Sequence, residues 1–96
     1  MASYRLTEDA EDDVEGIYEY SILHFGLQQA RDYVNGLHGC FGTLADSPRL
    51  GRDYSHVKAN VLRFEYQSHS VYYTVTASGI LVLRVLGASM DPGRHL

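Results

Sequence analysis

A chain of 96 residues has room for one domain and one modest core, because at this size folding removes only about 60–65% of the surface exposed by the unfolded chain. Apolar residues make up 45% and charged residues 21%, a composition that excludes disorder and fibrous repeats. The formal charge of −4, eight basic against twelve acidic residues, excludes a chain-wide basic footprint for sequence-specific nucleic-acid binding.

The charge is unevenly spread. Residues 1–32 carry two basic residues (Arg5, Arg31) against eight acidic ones, whereas residues 33–96 carry six basic against four acidic. An anionic partner is therefore expected to be met by the second half. Cys40 is the only cysteine, which excludes an intrachain disulfide and any C-x-x-C site. The opening MASYRLTEDAEDD shows no apolar signal segment, and the longest apolar run, Ile80–Leu83, is far too short for a membrane span. A single cytoplasmic domain over 1–96, with no membrane partner and no cofactor, is the expectation.

In chain order, Tyr4-Arg5-Leu6 alternates as an edge strand would, predicted over about 3–6. Thr7 offers an N-cap, and Glu8 and Asp9 follow where carboxylates favour the positive end of a helix dipole. Ala10, Val14, Ile17, Tyr18, Ser21 and Phe25 recur every three or four residues, which predicts an amphipathic helix over about 8–25 ended by Gly26. Asp12 and Asp13, with Glu8, Glu15 and Glu19, are expected on its solvated face. A second stripe, Ala30, Tyr33, Val34, Leu37, Phe41, Leu44 and Ala45, predicts a helix over about 27–46. The short link makes the two an antiparallel hairpin. Gly36, Gly39 and Gly42 cost helix stability; they mark either a weak exposed stretch or a smooth track for a close neighbour.

Asp46-Ser47-Pro48 stops this helix, and residues 47–60 read as a linker without periodicity. Strands are predicted over about 61–66, 70–76 and 80–86. The first sets Leu62, Phe64 and Tyr66 on one face and Val61, Arg63 and Glu65 on the other. The last is apolar on both faces apart from Arg84 and is expected to be central. Tyr72 and Tyr73 must point to opposite faces. Residues 87–96 read as a polar tail. Two helices can bury their stripes only against each other and one sheet face. This gives a two-layer α+β fold, with a helical hairpin on a mainly antiparallel sheet and an open second face.

Four stretches carry a family resemblance: Tyr4-Arg5-Leu6-Thr7 with Ala10, Asp13, Ile17 and Tyr20; His24-Phe25-Gly26 with Gln29-Ala30; Leu44 through Arg52; and Leu83-Arg84-Val85-Leu86 with Met90-Asp91-Pro92 and Arg94-His95-Leu96. On these the chain resembles the RelE/ParE superfamily of bacterial toxins, and its ParE branch in particular. The resemblance implies a type II toxin–antitoxin module. The toxin would inhibit DNA gyrase by binding and be neutralised by a ParD-like antitoxin in a hetero-oligomer.

The related RelE branch cleaves messenger RNA on the ribosome, which requires groups that move protons and stabilise phosphate charge. By similarity Arg63, Arg84 and His95 would be its catalytic residues here. A +2 half is a poor match for ribosomal RNA. Arg84 is instead expected to pair on the open face with a partner carboxylate, and Arg63, Tyr72, Tyr73, Arg94 and His95 are expected to share that contact surface. A non-toxic binding module of the same fold is the third alternative. The five histidines are scattered and match no zinc-site spacing.

Overall fold

The computed structural model describes residues 2–96, so Met1, the first residue of the expected domain, lies outside the described residues. The elements are β1 (Ser3–Leu6), α1 (Glu8–Phe25), α2 (Leu27–Asp46), a 3-10 turn (Pro48–Leu50), β2 (Arg52–Asp53), β3 (Leu62–Tyr66), β4 (His69–Thr76), β5 (Gly79–Gly87) and α3 (Pro92–His95). The five strands form one sheet in the order β1-β5-β4-β3-β2. Among the described residues only the β1–β5 pair is parallel. The predicted α+β hairpin-on-sheet architecture is therefore the observed one. β1 is the expected edge strand and β5 the expected interior one.

Local chemistry sets the joints. The Thr7 hydroxyl accepts from Ala10 N at 3.1 Å and so caps α1, while Gly26, at φ +90°, ends α1 and admits α2 directly. At the start of the β1–β5 pair Gly79 lies so close to the Ser3 backbone that no Cβ would fit. The main core lies between the helices and the sheet. Ala10, Val14, Leu37, Phe41 and Leu44 meet Val71, Tyr73, Ile80, Val82 and Val85, and the expected β3 face of Leu62, Phe64 and Tyr66 packs at its margin.

Three expectations need correction. Residues 47–60 are more than a linker, since β2 pairs antiparallel with β3 (Arg52 opposite Arg63, Asp53 opposite Leu62) and adds a fifth strand. Two residues carry no period, so no pattern announces this strand. The tail is likewise structured: Asp91 caps the short α3, and Leu96 packs with Tyr54, Val61, Tyr72, Leu83 and Leu86 in a small second core. The second sheet face is therefore partly covered. Tyr72 and Tyr73 do point to opposite faces, but both are fully packed, one in each core.

Asp13 departs furthest from the expected solvated face. β1 ends at Leu6, opposite Val82, and the β5 edge beyond that point is covered by α1. There Thr7 N donates to Val82 O at 3.0 Å, Thr7 Oγ1 to Leu83 O at 2.8 Å, and Val85 N to Asp13 Oδ2 at 2.9 Å. Thr7 and the Asp13 side chain of α1 thus replace the missing neighbour strand and satisfy backbone groups that would otherwise lie orphaned.

Candidate partner groove

The large apolar positions of α1 run out before its end. Ala10 and Val14 are buried, but Tyr20 and Phe25 are more than half exposed, and Leu23 is 84% exposed. Beside them lies a cavity of about 800 Å³. One wall is α1 from Asp12 to Phe25. The others are Gln29 and Tyr33 of α2, the Gln67–His69 turn, and the end of β5 with the turn to Met90. The space exists because small residues from separate segments converge: Gly16, Ser21, Ser68, Gly87 and Ser89 all line it. Aromatic groups give it its character. Tyr20 stacks on His24 at 4.0 Å between centroids, and Tyr33 meets Tyr66 edge-on at 5.6 Å.

Within the lining, Tyr33 Oη and His69 Nδ1 stand 2.6 Å apart and tie α2 to the start of β4. Burial pushes the His69 imidazole below its ordinary value and the Tyr33 phenol above its own. Asp13, also at the groove, accepts from Arg84 Nε at 2.7 Å and from Arg84 Nη2 at 2.8 Å, a two-point carboxylate–guanidinium fork. The Asp13 hydrogen bonds hold Arg84 above its ordinary value. The two side chains are only 13% and 18% exposed.

The residues expected from sequence lie elsewhere. Arg63, Tyr72 and Arg84 fall in one cross-strand row, since Tyr72 is the register partner of both arginines. Their functional groups are nonetheless occupied within the chain. Arg63 lies over the Tyr54 and Tyr72 rings, donates Nε to Ser70 Oγ at 3.2 Å and approaches Glu65 at 3.5 Å. Arg84 is taken by Asp13, and His95 contributes only its backbone carbonyl, 3.2 Å from Arg84 Nη1. The expected pairing of Arg84 on an open face is thus replaced by an internal pair. Tyr73 Oη donates to Pro48 O at 2.6 Å and accepts from Gly51 N at 2.9 Å, a structural role. Arg94 is exposed. Among the described residues no group of three or more His, Cys, Asp or Glu side chains is placed to hold a metal ion. No helix among them is long and apolar enough to cross a membrane.

Sequence reasoning singled out none of Tyr20, Tyr33 and His69 as site residues. The available signal was the cluster Leu23, Phe25 and Leu27 around Gly26, apolar residues at a turn where polar ones are usual.

A helical hairpin on one face of a mainly antiparallel sheet, with an aromatic groove beside α1, is the architecture of the RelE/ParE-like fold. Residues 4–92 match the family described as the ParE toxin of the type II toxin–antitoxin system parDE, and the chain belongs to that family. It is 33% identical to the toxin ParE1 of Caulobacter vibrioides over 96 residues, covering all of this chain and 99% of that one. It is 31% identical to the toxin ParE1 of Mycobacterium tuberculosis over 94 residues, 97% of this chain and 96% of the other. A solved structure titled as a chromosomal ParDE system from P. aeruginosa has the same fold, with a TM-score of 0.77 at 20% identity over 91% of this chain and 96% of that chain.

Proposed function

We propose that this toxin acts in the cytoplasm by binding DNA gyrase rather than by catalysis. In this reading a ParD-like antitoxin silences it by filling the groove beside α1. The observation that carries it is the contrast between the two candidate sites: the groove is large and mainly apolar, while the guanidinium groups of Arg63 and Arg84 are engaged by Ser70, Tyr54, Tyr72 and Asp13. A ribonuclease needs those groups directed at a phosphate. A binding inhibitor needs only a stable shape and exposed contacts. The exposed Arg94 and the partly exposed Arg63 then belong to the surface that meets the target.

Purified protein added to a gyrase supercoiling reaction and, separately, to an in-vitro translation reaction tests this directly. The expected result is lost supercoiling with accumulation of cleaved DNA and unchanged translation. Blocked translation with active gyrase would favour messenger-RNA cleavage. Inhibition of neither would favour a non-toxic binding module. An Arg63→Gln/Arg94→Gln variant should lose gyrase inhibition by about tenfold while still binding its antitoxin.

A further inference from the structure

Two features tie the wall of the groove to the opposite face of the sheet. The first is the chain itself. Gly87, Ser89 and Met90 line the groove, and from there the chain crosses to the second face, where Leu96 packs against Tyr54, Tyr72 and Leu83. The segment Asp91–Leu96 is ordered by its own short bonds. Gly93 N donates to Asp91 Oδ1 at 3.0 Å, Arg94 N to Asp91 O at 3.1 Å and Leu96 N to Pro92 O at 2.9 Å. It is tied to the rest of the molecule more sparsely. Besides the Leu96 side chain, Lys58 Nζ donates to Leu96 O at 3.3 Å and Arg84 Nη1 to His95 O at 3.2 Å.

The second feature is Arg84, which joins the two faces around the sheet edge. β5 carries an extra residue here: Tyr72 pairs with Arg84 and Tyr73 with Val82, so Leu83 has no partner of its own. A bulge of this kind re-aims the side chains around it. Val82 and Val85 face the main core, and Leu83 and Leu86 face the second. Arg84 falls out of that alternation, at the edge that β1 leaves open. On one side Asp13, a groove residue, takes its Nε and Nη2, and Asp13 is itself fixed by Val85 N at 2.9 Å. A planar guanidinium with two nitrogens clamped has its third direction set, and Nη1 meets His95 O. We propose that Asp13 and Arg84 form a latch that holds Asp91–Leu96 as a releasable strap over the second face. Strap docking is then set from the groove wall, with Asp13 a positioning residue that acts through Arg84. A shift of Asp13, or of the turn from Gly87 to Met90, loosens the strap and bares the apolar patch beneath Leu96.

Amide exchange and heteronuclear relaxation on the full-length protein test this. In the parent the Arg94 and Leu96 amides should be protected, with order parameters of about 0.85. Asp13→Asn/Arg84→Met leaves no charge unpaired and keeps an acceptor for Val85 N, but it has no donor for His95 O. Arg84→Lys keeps the charge, but a single ammonium cannot grip a carboxylate at two points and hold a third bond in a fixed direction. In both variants the Arg94 and Leu96 amides should lose at least about tenfold in protection, with order parameters below about 0.6. Amides of β4 and β5 should stay within about twofold of the parent. Leu96→Ala frees the strap at its other end. It should lower the urea midpoint of the parent, and lower that of the Asp13→Asn/Arg84→Met protein by about half as much or less, because the strap is already loose there. Unchanged tail amides in the two latch variants, or equal midpoint shifts in the two backgrounds, would overturn the latch. Protection lost evenly through β4 and β5 would make the pair a support of the sheet instead. Unprotected tail amides in the parent would remove the strap itself.

Discussion

Gly36 and Gly39 sit one turn apart on α2 and differ in what a methyl group would meet. A Cβ at Gly36 runs into the Tyr66 hydroxyl, whereas one at Gly39 meets open space. Glycine spacing alone could not separate the weak stretch from the close approach; the first description fits Gly39 and Gly42, the second only Gly36. Gly39→Ala should therefore raise stability by about 0.5–1 kcal/mol through lost unfolded-state freedom. Gly36→Ala should lower it by about 1–3 kcal/mol through overpacking. Urea denaturation midpoints decide both, and equal shifts of the same sign would contradict this account. Asp13 supports a larger effect. Asp13→Ala leaves the Arg84 charge without its counter-ion and Val85 N–H without an acceptor. A loss of about 3 kcal/mol is expected. The double variant Asp13→Asn/Arg84→Met should recover most of it, because no unpaired charge remains and the amide oxygen can still accept from Val85 N. A double-mutant cycle that shows simple additivity would contradict the internal pairing.

At the scale of elements, what was legible is what has a period. The 3.6-residue stripes of α1 and α2 and the alternation of β3 are visible in the sequence because burial repeats along each of them. β2 has no such signature, since its two residues are held by contacts made far away. Tyr73, in the middle of β4, fixes Pro48 O and Gly51 N, and this anchors the 3-10 turn immediately before β2. A tyrosine in a strand looks the same in sequence whether its hydroxyl is wet or anchors a distant turn. α3 escaped notice for a related reason: four residues with a glycine carry no helical pattern, and it is placed by the Asp91 cap and by Leu96 on the second core. Tyr73→Phe should thus act locally. It removes two hydrogen bonds at a net cost of about 1–3 kcal/mol, and amides of residues 50–54 should exchange faster in hydrogen-exchange measurements while those of β4 and β5 keep their protection. Uniform loss of protection across the sheet would show that the hydroxyl supports the core as a whole.

Over the whole molecule the groove was the least legible feature, because it is defined by missing volume. Gly16, Ser21, Ser68, Gly87 and Ser89 come from three segments, and nothing in any one of them shows that the others converge there. The charge division fared better, since the acidic first third became the α1 wall. The groove also ties stability to pH. His69 is half-buried beside Tyr33, and burial favours its neutral form, so its pKa in the folded chain lies below the unfolded value of about 6.5. Tyr33 Oη can donate to a bare Nδ1 or accept from a protonated one, so desolvation of the ring sets the direction of the effect. A depressed folded value means that the unfolded chain binds the extra proton first. The His69 contribution is complete above about pH 6.5 and is lost as pH falls through the lower folded value. The urea midpoint should therefore drop between pH 7.5 and pH 5.5, a range that lies above ordinary carboxylate titration. In His69→Gln the midpoint at pH 7.5 should already be lower, since the packed ring and its bond to Tyr33 are gone, but its further drop to pH 5.5 should be smaller than in the parent. An equal drop in the two proteins would assign the acid sensitivity to another group and leave the groove without a titrating wall.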